Sequence, residues 1–250
     1  MKTNGTGHND SEQLPPDDSN VTRFPGPKER AEYDRLRAAN DQPAPKREPI
    51  LNVPPVVKAM CLLLIVIQCV VQVLPEEMVE PIFMRLWFVP ANYSGDLPLS
   101  ISTFLGPVTH MLLHGGWMHL GINVGTLLAF GAGLEKNIGG KKLLVLFVST
   151  GIIGAFTHFA FYPHETQPLI GASGGISGLF GAILMMAQAQ GNMGQGYSKL
   201  ALFAILWVII SGFFGAYGMP GSDAPIAWTT HIGGFIAGLL LYRPVVKIKI

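Results

Sequence analysis

The chain has 250 residues, of which 49% are hydrophobic and only 13% are charged. This balance lies outside the usual range of a soluble globular domain and indicates a polytopic membrane protein. The formal net charge of +1 gives no indication of a nucleic-acid partner. From the hydrophobic composition, we expect the chain to be embedded in a lipid bilayer.

The first 55 residues are polar and rich in Pro, Asp, Asn, Lys and Arg, as in "EQLPPDDSN" and "DQPAPKREP". Such a composition buries too little apolar surface to form a core, so it predicts a disordered tail over residues 1–55. Within this tail, "PKERAEYDRLRAA" is compatible with a short exposed helix. Because about fifty polar residues precede the first apolar run, we expect that run to remain in the membrane as an anchor.

Six apolar runs of spanning length follow the tail, and they predict an all-α membrane domain over residues 56–243 with a short tail at 244–250. The runs are 56–74, 118–134, 143–162, 169–188, 200–217 and 226–242. Cys61 and Cys69 lie in the first run. About 12 Å of helix rise separates them, which excludes an intrachain disulfide.

Lys and Arg predict the orientation of the domain, because they occur in alternate connections. This pattern places both termini in the cytoplasm and the long first loop, residues 75–117, outside. The loop contains an apolar piece, 101–113, that is too short to span a bilayer, with aromatic residues around it. We therefore expect the first loop to be a structure in the outer interface and not a linker.

The fourth run contains an unusual density of glycine in "LIGASGGISGLFGAIL". Small residues four apart allow membrane helices to approach closely, and the fourth and sixth runs contain three such pairs of glycines. These pairs are Gly171/Gly175, Gly174/Gly178 and Gly234/Gly238. Taken alone, "GASG" is more typical of helix packing than of catalysis.

Four polar side chains fall at similar depth in the outer half of three runs, where ionisable residues are costly and are functional candidates by default. Ser173 lies about four residues inside the fourth run, roughly 6 Å deep, and His231 lies in the sixth. His119 and Asn123 are one turn apart on one face of the second run. A neutral His231 within about 3 Å of Ser173 would activate it as a nucleophile, and His119, Asn123 and nearby backbone N–H groups would stabilise an oxyanion.

A zinc site is the alternative for the histidines before the second run. His110 and His114 form an H-x-x-x-H pair that, with His119, offers three imidazole ligands. No H-E-x-x-H pattern accompanies them, and the other interpretation is that they fasten the first loop through hydrogen bonds. We therefore expect no metal and no cofactor. His158 and His164 are expected to be interfacial.

Three motifs, in order and on three different runs, resemble the rhomboid intramembrane serine proteases: "HMLLHGGWMHLGIN", "GASG" and "HIGGFIAG". The resemblance covers about residues 56 to 242 and implies a six-helix bundle. It implies a Ser173/His231 dyad without a third acid, and an oxyanion site involving His119 and Asn123. It also implies structural roles for a further group of residues: His110, His114, and Glu135 in "GAGLEKNIGGKK".

The implied activity is that of a serine endopeptidase that cuts transmembrane segments of other membrane proteins near the outer leaflet. The expected location is a bacterial inner (plasma) membrane. The alternative is an inactive rhomboid-like protein that binds or escorts membrane proteins; such relatives typically lack the serine or the histidine, and this chain has both. It departs from some rhomboids at Ser177, where they have an aromatic residue, and "FLGPVTHMLLH" lacks the family's Trp-Arg pair.

Overall fold

The computed structural model describes residues 26–39, 53–194, 196–218 and 227–249. Two compact units divide the chain, Met1–Ile50 and Leu51–Ile250. In the first unit, the short exposed helix is present as α1, Pro27–Ala39, and the Gly26 N–H donates to the Glu29 carboxylate (2.7 Å) at its start. The predicted disorder of residues 1–25 and 40–52 lies outside the described residues.

The described part of the second unit is helical, with one isolated antiparallel bridge between Phe88 and Leu169. Its α-helices are α2 Pro55–Val73, α3 Glu76–Leu86, α4 Ala91–Ser94, α5 Ile101–Thr109, α6 Trp117–Ile138, α7 Gly140–Phe161, α8 Ser173–Ala189, α9 Ser198–Tyr217 and α10 Trp228–Lys247. A 3₁₀ turn, His110–Leu112, follows α5.

The six long helices α2, α6, α7, α8, α9 and α10 correspond to the six apolar runs, which confirms the polytopic all-α fold. Within the described ranges, α2, α6, α7 and α9 are long and apolar enough to cross a membrane, and α8 is a shorter apolar helix of 17 residues. α10 extends past the predicted end at 242 to Lys247.

The predicted start of the fourth helix, at residue 169, is wrong: α8 begins at Ser173. Leu169 is held in an extended conformation, because its N–H donates to the Phe88 carbonyl (2.7 Å) and its carbonyl accepts the Phe88 N–H (3.3 Å). Gly171 has φ +118°, which no helix allows. Ser173 is therefore the first residue of its helix and not one turn inside it.

Helices α8 and α10 touch backbone to backbone. A Cβ added to Gly234 would collide with the carbonyl oxygen of Gly174, and one added to Gly238 with that of Gly178. Gly178 also lies against the Thr150 side chain of α7. The small residues therefore bring α8 and α10 closer together than any side chain would permit.

In the last turn of α6, the buried Glu135 binds the start of α2 through hydrogen bonds. Its two carboxylate oxygens accept the backbone N–H groups of Val56 (3.0 Å) and Val57 (2.7 Å). A carboxylate at a helix N-terminus satisfies donors that have no partner within the helix, and it complements the positive end of the helix dipole. Glu135 thus joins the first and second long helices of the domain.

The first loop is a packed structure, as expected, and its fastening does not depend on a Trp-Arg pair. Phe88 is fully buried and stacks on Tyr93 at 4.8 Å. The Tyr93 hydroxyl donates to the Thr103 carbonyl (2.6 Å), and burial raises the pKa of Tyr93 to about 12, so it remains a donor. Met111 packs directly on Gly151 of α7. The stacking and the hydrogen bond hold the loop together, and the contact of Met111 with Gly151 attaches it to the bundle.

Candidate active site

The structure brings Ser173 and His231 into direct contact. Ser173 Oγ lies 2.8 Å from His231 Nε2, although the two residues are 58 positions apart in the chain. Ser173 is the first residue of α8 and His231 the fourth of α10. The backbone contact between Gly174 and Gly234, beside the pair, sets the distance between the two helices. The distance is within the range that a serine nucleophile and its base require.

The position of Ser173 at the start of α8 also gives it an electropositive surrounding. The Ile176 N–H donates to the carbonyl of Ala172, which is the residue preceding the helix. The N–H groups before Ile176 belong to the first turn, which has no acceptors within the helix. Together with the positive end of the helix dipole, they favour a negative charge beside Ser173.

The His119 imidazole lies near Ser173. Its Nδ1 accepts the Gly115 N–H (3.4 Å), so a neutral ring carries its proton on Nε2. A Cβ added to Gly171 would lie 2.8 Å from this Nε2 and 3.8 Å from Ser173 Oγ. The absence of a side chain at Gly171 therefore leaves room for the Nε2–H donor next to the serine.

Asn123 lies one turn further along α6 and is almost fully buried, at 3% exposure. Its side-chain amide donates to the carbonyl of His119 (2.9 Å) on the same helix. An amide has two N–H donors, so one remains for another acceptor. The structure thus places the His119 ring near Ser173 and joins the Asn123 side chain to the backbone of His119.

His110 supports the segment that leads to Ser173. The His110 carbonyl accepts the Gly171 N–H (2.9 Å), and its Nδ1 lies 2.8 Å from the Gly106 carbonyl. Burial lowers the pKa of His110 and of His114 to about 4, so both rings are neutral at neutral pH. The His114 ring packs edge-on against His119 at 5.0 Å.

The zinc hypothesis finds no support in this geometry. Across the described ranges, no three His, Cys, Asp or Glu side chains are grouped so that they could hold a metal ion. His110 is instead directed to a backbone carbonyl of α5. Cys61 and Cys69 are both free thiols.

The first turn of α10 is held in place by Thr230, the residue that precedes His231. Thr230 packs its methyl group on Gly174 of α8, and its carbonyl approaches Gly154 of α7. Ser177, at the position where some rhomboids have an aromatic residue, donates its hydroxyl to the Ser173 carbonyl (2.7 Å). Packing of the helix that carries His231, rather than an aromatic face, therefore accounts for its position.

A chain of polar side chains near this site was not predicted from the sequence. His158 was expected to be interfacial; its side chain is buried, at 5% exposure. His158 Nδ1 lies 2.7 Å from the Thr229 hydroxyl, and Nε2 lies 2.9 Å from the Glu165 carboxylate. His158 is an ionisable residue inside an apolar run, and that fact alone could have marked it as a functional candidate. His164 is exposed and pairs with Asp96 (2.6 Å).

A family model, the Rhomboid domain, matches residues 102–248, which is more than half of the chain. The chain is a multi-pass helical membrane protein with a serine–histidine contact at one end of its bundle, and it belongs to the rhomboid family.

Individual rhomboid relatives are about 30% identical to the chain over roughly half of its length. YdcA of Bacillus subtilis is 30% identical over 139 residues, 54% of this chain and 63% of that protein. Rhomboid protease GluP of the same organism is 30% identical over 131 residues, 52% and 24% of the two chains. Inactive RHOMBOID-like protein 8 of Arabidopsis thaliana is 32% identical over 142 residues, 55% and 38%. The chain thus spans less than two thirds of each of these relatives.

Proposed function

We propose that this protein is an intramembrane serine endopeptidase that hydrolyses peptide bonds in transmembrane segments of other membrane proteins, near the outer leaflet. The observation that carries the proposal is the 2.8 Å contact between Ser173 Oγ and His231 Nε2. A serine hydroxyl is a weak nucleophile unless an adjacent base accepts its proton. His231 is that base.

The reaction proceeds in two halves. Ser173 Oγ attacks the acyl carbon while its proton passes to His231 Nε2, and the tetrahedral oxyanion is stabilised by the first-turn N–H groups of α8 and by His119 Nε2–H. Asn123 has a further amide N–H for the same charge. One such donor is typically worth about 3 to 4 kcal/mol. Protonated His231 then gives its proton to the leaving amine, and water hydrolyses the ester with His231 again as the base.

The arrangement in the membrane follows from the distribution of Lys and Arg. Both termini lie in the cytoplasm, residues 1–55 form a cytoplasmic tail, 56–243 the membrane domain and 244–250 a short cytoplasmic tail. The site then faces the outer leaflet of a bacterial inner membrane, where water for hydrolysis is close. Substrates enter from the bilayer, and neither a metal nor another cofactor takes part.

The second candidate is a binding or escort protein without protease activity. The observation that favours this alternative is the match to a plant relative that is named inactive. It predicts that Ser173 is not nucleophilic and that removing its hydroxyl changes no covalent chemistry.

Labelling with a fluorophosphonate probe separates the two. The detergent-solubilised protein should be labelled covalently, and labelling should disappear in Ser173→Ala but persist in Ser177→Ala, a serine one turn along the same helix. His231→Ala should also abolish labelling, whereas His164→Ala, at an exposed histidine, should not. Absent labelling of the wild-type chain, or equal labelling of Ser173→Ala, contradicts the protease proposal.

A further inference from the structure

A cavity of about 540 Å³ opens between the end of α7, residues 162–169 and the start of α10, the helix that carries His231. Its walls include the apolar or aromatic side chains Phe161, Tyr162, Leu169 and Trp228. Among its described lining residues, Glu165 is the one carboxylate. The cavity therefore combines apolar walls with a single negative charge.

The Glu165 carboxylate is held in place by a buried chain of hydrogen bonds. A carboxylate only accepts, so His158 Nε2 carries the proton that it donates to Glu165 Oε2 (2.9 Å). Nδ1 then accepts the Thr229 hydroxyl proton (2.7 Å), which is the bonding scheme of a neutral imidazole. This scheme fixes the carboxylate without cancelling its charge.

The backbone of Glu165 is fixed as well. Its N–H donates to the Tyr162 carbonyl (3.2 Å), and its own carbonyl accepts the Ala91 N–H of the first loop (3.0 Å). The Glu165 side chain retains 34% exposure, so it is accessible to a ligand that enters the cavity. A group held in this way needs little further ordering when it binds.

The cavity lies within reach of a chain bound at Ser173. Leu169 precedes Ser173 by four residues, and Trp228 precedes His231 by three. An extended peptide advances roughly 3.3 to 3.6 Å per residue. A substrate whose scissile bond lies at Ser173 can therefore place a side chain from a nearby residue in the cavity.

We propose that this cavity is a specificity pocket for a Lys or Arg side chain of the substrate, in the segment that flanks the scissile bond. The inference rests on the proposed protease function and adds a substrate feature to it. The long apolar stem of Lys or Arg packs along the aromatic walls while its charged end reaches Glu165. The faces of Tyr162 and Trp228 also favour a cation.

Binding of labelled transmembrane peptides to the full chain tests the pocket independently of catalysis. The Ser173→Ala protein is placed in neutral-lipid vesicles, and Kd is measured for peptides with Lys or Gln at each outer position near the scissile bond. At one or more positions, we expect Lys to bind about five-fold more tightly than Gln, the range of a partly exposed ion pair. The preference should weaken with added salt.

Two variants identify the group responsible. Glu165→Gln keeps an oxygen acceptor for His158 but removes the charge, so it should abolish the Lys preference. Glu77→Gln removes an exposed carboxylate from the first loop, outside the cavity lining, and should leave the preference intact. A Lys preference that persists in Glu165→Gln, or none at any position in the Ser173→Ala chain with Glu165 intact, overturns the inference.

Cleavage of the same peptides by the chain with Ser173 intact separates this inference from the proposed function. If the chain binds Lys peptides with a Glu165-dependent preference but cleaves none of them, the protease proposal fails and the pocket stands. If it cleaves Lys and Gln peptides with equal kcat/KM at every position, the protease proposal stands and the pocket fails.

Discussion

Replacing Gly171 by alanine should disable the site while the protein remains folded. Two costs follow from the structure. A non-glycine residue at φ +118° is strained by about 1–3 kcal/mol. The added Cβ would lie 2.8 Å from His119 Nε2, and such overpacking costs about 1–3 kcal/mol. The sum, about 2–6 kcal/mol of unfolding free energy, is below the upper range of domain stabilities.

The contact with His119 predicts the effect on activity. The His119 ring must leave its present position near Ser173, and loss of one oxyanion donor typically lowers kcat by about 10²- to 10³-fold. The matched control is Gly95→Ala, because Gly95 has φ +90° but no atom within 4 Å of an added Cβ. We expect kcat/KM for a model transmembrane substrate to fall at least 100-fold in Gly171→Ala and to change little in Gly95→Ala. Equal losses in the two variants would refute the role of the contact.

Four further predictions follow from the site and its supports. Ser173→Ala and His231→Ala should each abolish proteolysis, and the double variant should be no worse than either single one, because the two act as a unit. Proteolysis should fall on acidification with an apparent pKa no higher than about 6.5, the ordinary histidine value, since protonated His231 accepts no proton; a rate that rises from pH 6 to 5 would contradict this. The pKa of His110 and His114 is about 4 in the folded protein; the unfolded chain therefore binds more protons below about pH 6.5, and thermal stability should decrease from there to pH 4. Glu135→Gln should lower the unfolding free energy in mixed micelles by about 1.5–3 kcal/mol, the contribution of one charged hydrogen bond to the start of α2; an unchanged unfolding curve would remove its assigned role.

The local sequence pattern predicted the long helices, because the length of an apolar run depends only on consecutive residues. Each apolar run long enough to span a bilayer became a helix, and the polar piece "PKERAEYDRLRAA" became α1. The start of α8 escaped this reasoning. Nothing in the apolar run 169–188 distinguishes its first four residues, and only the pairing of Leu169 with Phe88 in a distant loop removes them from the helix.

The same distinction applies to the candidate site. The sequence by itself selected Ser173 and His231 through residue type, depth and motif order, and it selected the glycines through their spacing. The 2.8 Å contact depends on how α8 and α10 pack, and the first-turn N–H groups around Ser173 depend on where α8 begins. Sequence spacing determines the position of a residue along its helix axis. The rotation of each helix about that axis, and the distance between two helices, depend on the contacts that the helices make.

The chain Glu165–His158–Thr229 was decided by tertiary structure alone. Its members lie in a loop, at the end of α7 and at the start of α10, and His158 and Thr229 are 71 residues apart. No periodic pattern relates such positions. A buried imidazole requires hydrogen-bond partners, so the sequence could indicate that His158 needs them, whereas only the folded chain determines which residues they are.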